Sequence, residues 1–305
     1  YEWTTGGTDA TINNLTSGTY TVTVTDANDC TDTAEATVNE PNALTITLVG
    51  LDILCFGVHT GEIPSTTTGG TRGTAYAWTN GATTASINTL VAGTYTVTIT
   101  DDNGATATDE VTLSEPSDIT LTTSNTSVSI NGGNDGTAGV SATGGTPNYD
   151  YAWSNNGTTA TISTLTSGTY TVTVTDANDC TDTAEATVNE PNALTITLVG
   201  LDILCFGENT GSITSTTTGG IGGNEYAWSN GATTASINTL VAGTYTVTIT
   251  DDNGATATDE VTLSEPSDIT LTTSNTSVSI NGGNDGTAGV SATGGTPNYD
   301  YAWSN

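Results

Sequence analysis

Any chemistry in this 305-residue chain has to come from four cysteines, one histidine and 33 carboxylates, because Lys+Arg number only one. Arg72 is that single basic side chain, and lysine is absent, so Schiff-base chemistry and Lys–Asn isopeptide staples are excluded. His59 has Asn209 at the equivalent position 150 residues on and reads as an exposed loop residue; one unrepeated histidine supports no Ser–His–Asp constellation. Paired carboxylates can hydrolyse glycosides, yet here they fall on small turns with no sign of a cleft. No Cys-x-x-Cys spacing occurs, which leaves zinc without a ligand set. The chain is not read as an enzyme.

The carboxylates gather at hairpin turns. One cluster is Asp26, Asn28, Asp29 and Asp32, repeated at Asp176, Asn178, Asp179 and Asp182; the other is Asp101, Asp102 and Asn103, repeated at Asp251, Asp252 and Asn253. Two readings stay open. Calcium takes oxygen ligands from such loops, and divalent cations would relieve a net charge of −32. Alternatively, Asp and Asn side chains bond their own backbone in ordinary turns. The EF-hand spacing is not met, and no other cofactor is implied.

The same charge removes whole classes of partner. Without a basic patch the chain cannot neutralise phosphates, so nucleic acid and anionic membrane surfaces are excluded. No apolar run approaches the ~18 residues that direct membrane insertion requires, and no basic segment precedes an apolar one as in a signal peptide.

Behind these residues stands a repeat. Thr19 to Gly57 recur unchanged at Thr169 to Gly207, and Gly81 to Asn155 recur at Gly231 to Asn305, a shift of 150 in both cases. A weaker period of 75 spaces Trp3, Trp78, Trp153, Trp228 and Trp303, and likewise Tyr20, Tyr95, Tyr170 and Tyr245. The array therefore alternates two related units: 1–40 closes an A-type repeat, 41–115 is B-type, 116–190 A-type, 191–265 B-type, and 266–305 opens another A-type repeat. It reads as a window cut from a longer array.

Each unit alternates apolar and polar residues with period two, and no segment shows a helical stripe. The outward positions are largely threonine, which favours extended backbone. Short antiparallel strands with one tryptophan per unit predict an all-β chain of tandem immunoglobulin-like sandwiches in an extended array. The tryptophans and tyrosines just named are the expected core. Glu-Pro pairs such as Glu115-Pro116 end the units and stiffen the junctions. Pro64, which is Thr214 in the other copy, predicts an edge strand or a bulge.

Shifting the cysteines by 75 turns Cys30, Cys55, Cys180 and Cys205 into Ala105, Ile130, Ala255 and Ile280. Disulfide partners are kept or lost together, so this comparison predicts Cys30–Cys55 and Cys180–Cys205, each across an A-to-B junction. It requires a hairpin around Asn39-Glu40-Pro41-Asn42. Four buried free thiols acting as small hydrophobes are the alternative.

The motifs Cys205-Phe-Gly, Gly211-Ser-Ile, Gly219-Gly220, Tyr226-Ala-Trp228-Ser-Asn-Gly, Gly243-Thr-Tyr-Thr-Val, Thr250-Asp-Asp-Asn-Gly and Glu265-Pro266 resemble the SprB repeat in order and spacing. The family is named for a giant gliding-motility adhesin of type IX-secreting bacteria, and the Tyr-x-Trp and Gly-Thr-Tyr strands also resemble polycystic-kidney-disease modules. The resemblance implies an extracellular, cell-surface protein whose repeats form a shaft or filament. Its partners would be neighbouring repeats or further chains of a homo-oligomeric appendage, with the gripped surface or glycan unknown. A multivalent glycan-binding array is the alternative. Family members usually carry two cysteines per repeat; here each unit has one. Asp32-Thr33-Ala34, repeated at Thr183, resembles an Asp-Thr-small glycosylation motif of such bacteria. The regular threonine rows would also suit ordered water on a flat face, as in ice binding.

Overall fold

The computed structural model describes residues 1–304, all β-strand, turn and loop. They divide into two units, one comprising 1–120 with 143–149 and 175–182, the other the remaining segments. Each is described separately.

In the first unit, residues 41–115 form facing sheets. Gly93–Asp101 lies between Thr74–Trp78 and Thr106–Leu113. Against it pack two short pairs, Thr45–Leu48 with Ser65–Thr68 and Gly61–Ile63 with Ile87–Leu90. Along Gly93–Asp101 the residues Tyr95, Val97, Ile99 and Asp101 point inward and are buried, while the alternate threonines face outward. Trp78 anchors this core, and its indole N–H donates to Thr84 O at 2.9 Å. Tyr95 donates its hydroxyl to Val91 O at 3.0 Å. Both bury a large ring while satisfying its polar atom. The same unit holds the sheet Glu2–Trp3, Gly18–Thr25 and Thr31–Val38, in which Trp3 and Tyr20 are half-buried.

The second unit repeats the plan in residues 191–265. One sheet has Gly211–Thr218 between Thr195–Leu201 and Ser236–Leu240; the other has Gly243–Asp251 between Asn224–Trp228 and Thr256–Leu263. Ile213, Trp228, Tyr245, Val247 and Ile249 fill the space between them. Two three-stranded sheets closed face to face around one tryptophan make an immunoglobulin-like sandwich. Also in this unit are buried Trp153, half-buried Tyr170, and the hairpin Thr270–Thr276 with Thr287–Thr293.

One expectation needs correction and one is resolved. Trp303 is not core but 60% exposed. Trp78 and Trp228 lie opposite Val97 and Val247 of their neighbouring strands, whereas Trp303 lies outside any strand. Pro64 lies between two short strands, each in a two-stranded pair, and the pair Gly61–Ile63 with Ile87–Leu90 carries the register irregularity that the bulge alternative expects, whereas the counterpart Gly211–Thr218 is a continuous middle strand. Val49 N–H still donates to Pro64 O at 3.2 Å. Proline returns no N–H, and the strand breaks into Gly61–Ile63 and Ser65–Thr68.

Pro64→Thr should restore the continuous strand. One ladder hydrogen bond is worth roughly 0.5–1.5 kcal/mol, offset by about 0.4–1 kcal/mol for the freer unfolded chain. Hydrogen-exchange protection across residues 61–68 should rise to match 211–218. Unchanged protection would show that proline is not what divides the strand.

Candidate functional site at the repeat joint

The aspartate that opens each hairpin turn accepts backbone N–H groups from its own turn. Oδ1 of Asp101 accepts from Asn103 N at 3.0 Å and Ala105 N at 2.9 Å. Asp176 does the same with Asn178 N and Cys180 N at 2.8 and 2.9 Å, and Asp251 with Asn253 N and Ala255 N at 3.0 and 2.8 Å. Asp26 repeats the pattern with Asn28 N and Cys30 N at 2.8 and 2.9 Å. The turn needs a left-handed residue immediately before its last one, supplied by Gly104 and Gly254 or by Asp29 and Asp179. Aspartate tolerates that conformation better than most residues.

The second oxygen reaches a loop thirty residues back. Oδ2 accepts from Thr71 N at 2.9 Å, Thr146 N at 2.8 Å and Ile221 N at 2.8 Å in the three cases. A Cβ on Gly145 would lie 2.6 Å from Asp176 Oδ2, and one on Gly220 2.8 Å from Asp251 Oδ2, so close approach requires glycine there. Asp101, Asp176 and Asp251 are buried. The N–H groups of Thr71 and Ile221, respectively, are foremost in holding the carboxyls of Asp101 and Asp251 below their ordinary value. For Asp176 burial pushes upward, but the N–H groups of Thr146, Cys180 and Asn178 outweigh it. Backbone amides thus act as counter-charges where basic side chains are missing.

The asparagine two residues on carries the turn onto the loop of an earlier repeat. Asn178 Nδ2 donates to Leu54 O at 3.2 Å and to Thr146 Oγ1 at 2.8 Å. In the other unit Asn253 Nδ2 donates to Ser129 O at 2.8 Å, with the same sequence separation of 124. The receiving loop is braced by the Glu-Pro glutamate: Glu115 accepts from Gly57 N at 3.0 Å, Glu190 from Gly132 N at 2.7 Å and Glu265 from Gly207 N at 2.8 Å.

Beside the Asn178 bond, Cys55 and Cys180 form a disulfide with a Cα–Cα distance of 5.6 Å and a separation of 125 residues. This overturns the pairing of Cys30 with Cys55 and of Cys180 with Cys205. The hairpin which that pairing required does not form: Thr31–Val38 pairs with Gly18–Thr25, whereas Thr45–Leu48 pairs with Ser65–Thr68. Cys30 and Cys205 are exposed free thiols, so the buried-hydrophobe alternative does not hold for them either. The comparison that missed the pairing contained its signal, because Ile130 and Ala255 also lie 125 apart. In the chain-entropy model a loop of this length contributes about 4–5 kcal/mol.

Other expected residues occupy nearby positions. Asp252 Oδ2 accepts from Gly223 N at 2.9 Å, and Asp32 Oδ1 from Thr33 N at 2.9 Å. Asp182 follows its turn on the strand Thr181–Val188, and Asp102 lies beside Gly73. Thr33 and Thr183 are exposed on their strands. Among the described residues, no three His, Cys, Asp or Glu side chains are grouped to hold a metal ion.

The lowered carboxyl values carry a sign. A depressed folded-state value stabilises above the ordinary 3.8 and loses that stability as pH falls through the folded value. The melting temperature should therefore fall steeply below about pH 4, and Asp251→Asn should lower it at pH 7 while reducing the acid dependence of residues 191–265. An acid transition identical in the variant would contradict the brace.

Residues 120–158, 201–233 and 270–305 match the family model described as the SprB repeat. No curated protein matches the chain. Among solved structures, immunoglobulin domains 1–5 of Sidekick-1 share 14% identity, covering 82% of this chain and 66% of that one, with a TM-score of 0.34. The N-terminal eight immunoglobulin domains of DSCAM share 12%, covering 92% and 43%, at 0.29. The ectodomain of mouse nectin-like molecule 4 shares 12%, covering 59% and 77%, at 0.31. The chain thus spans less than two thirds of the length of the first two. With all-β sandwiches on a 75-residue period, the chain is a tandem repeat array that matches the SprB-repeat model at three segments.

Proposed function

We propose that this array is a stiff segment of an extracellular, cell-surface adhesin or filament, a shaft that holds a binding element away from the cell or assembles with further chains into an appendage. One observation carries the reading: the same asparagine-to-carbonyl joint recurs at Leu54 and Ser129, and one of the two is closed by a disulfide. A repeated joint favours a fixed relation between successive repeats over a string of loose beads. The disulfide suits an oxidising compartment, and the net charge of −32 keeps a long array soluble and self-repelling. Attachment during gliding is the role that the SprB resemblance suggests.

The glycan-binding alternative needs exposed aromatic platforms: Trp78, Trp153 and Trp228 are buried, while Phe56 and Phe206 are each 52% exposed beside the joint loops. Pulling single molecules from both ends separates the two readings. With the disulfide intact, the chain between Cys55 and Cys180, a separation of 125, cannot extend; reduction should add roughly 400 Å of contour length and lower the force of the corresponding event. The same protein immobilised on a panel of surface glycans should bind none. Unfolding at negligible force together with retained glycans would favour the alternative.

A further inference from the structure

The joint occurs twice between complete repeats, once with a disulfide and once without. Asn178 Nδ2 donates to Leu54 O at 3.2 Å beside the Cys55–Cys180 bond. Asn253 Nδ2 donates to Ser129 O at 2.8 Å, where Ile130 and Ala255 stand in the places of the two cysteines. The supporting parts are the same at both: Asp176 and Asp251 hold the turns, and Glu115 and Glu190 hold the receiving loops. The hydrogen-bonded joint therefore needs no disulfide to form.

At the disulfide joint the same bond places the sulfurs. Leu54 directly precedes Cys55, and Asn178 lies two residues before Cys180. Asn178 Nδ2 also donates to Thr146 Oγ1 at 2.8 Å, and Thr146 N in turn donates to Asp176 Oδ2 at 2.8 Å. The amide is thus aimed at Leu54 O from within its own repeat. Cys180, whose N–H is held by Asp176 Oδ1 at 2.9 Å, comes to a Cα distance of 5.6 Å from Cys55. Chain statistics oppose this pairing. Cys55 and Cys180 are 125 positions apart, whereas Cys30 lies 25 from Cys55 and Cys205 lies 25 from Cys180. In a flexible chain the shorter loop closes about tenfold more readily, because the entropic cost grows with the logarithm of loop length.

We infer that the asparagine-to-carbonyl joint closes first and selects the disulfide, with Asn178 as the residue that positions Cys180 against Cys55. The disulfide is then a reversible lock on a joint already formed, and reduction opens the lock without dissolving the contact. The oxidant is a small disulfide such as oxidised glutathione. The Cys180 thiolate attacks one of its sulfurs and expels one glutathione thiolate. The Cys55 thiolate then attacks Cys180 Sγ in the mixed disulfide and expels the second. Two thiols become one disulfide, one oxidised glutathione becomes two reduced molecules, and the thiol protons end on the leaving thiolates. The inference does not depend on the array serving as a shaft.

The test reduces the full chain without denaturant, reoxidises it with oxidised glutathione, quenches by alkylation at intervals and maps the linked peptides by mass spectrometry. Cys55–Cys180 should form ahead of Cys30–Cys55 and Cys180–Cys205. In concentrated guanidinium chloride the order should reverse, with the short links about tenfold ahead. Asn178→Ala should slow the native pairing about fivefold, the effect of one hydrogen bond, and leave the rates in denaturant unchanged. A second chain covers the case in which that variant misfolds. It has serine at all four cysteine positions and carries Ile130→Cys with Ala255→Cys on the joint that lacks a disulfide. It should link positions 130 and 255 faster when folded than in denaturant. Native reoxidation that gives the short links first would overturn the inference, as would a folded Asn178→Ala chain that pairs Cys55 with Cys180 at the unsubstituted rate. So would a second chain that links no faster folded than denatured.

Discussion

The structure depends on a buried carboxylate that accepts N–H groups from two directions. Asp101, Asp176 and Asp251 each close their own hairpin turn with one oxygen and hold a distant glycine-rich loop with the other. The end of a central strand is thereby fixed to the loop that leads into its neighbouring strand. The asparagine next in the turn can reach an earlier repeat only because the aspartate sets the turn.

This use of aspartate follows from composition. A chain with 33 acidic side chains and one basic one cannot neutralise its carboxylates through ion pairs. Backbone N–H groups take that role: Asp52 and Asp202 accept from Ser114 and Ser264, Asp109 and Asp259 from Leu48 and Leu198, and glutamates 115, 190 and 265 from glycines in the cysteine-bearing or equivalent loops. Such bonds are local and directional, so they recur wherever the sequence recurs. Carboxylates left at the surface supply the repulsion that suits a long soluble array.

Strands were readable in the sequence because alternation and the 75-residue spacing report directly on local geometry. Tyr95, Val97 and Ile99 face the core as their spacing requires, and Trp78, Trp153 and Trp228 are buried. The joint was harder to read because it links residues 124 and 125 positions apart. Co-retention of cysteines showed which thiols belong together in kind but not which neighbouring period supplies the partner. Strand pairing decides that, since Thr31–Val38 joins Gly18–Thr25 rather than Thr45–Leu48. Pro64 fits an edge or a bulge in sequence, and the structure shows a broken strand with a register irregularity beside it. The turn carboxylates fit either a cation or a backbone brace in sequence, and the structure adds the N–H partners of the brace.

The central claim is that the aspartate turn of one repeat sits on the cysteine loop of an earlier one. The most direct test is to isolate the monomer, alkylate it without reductant, and map its peptides. The structure predicts alkylated Cys30 and Cys205 and a single link between Cys55 and Cys180. Links joining Cys30 to Cys55 and Cys180 to Cys205, with no thiol alkylated, would contradict it.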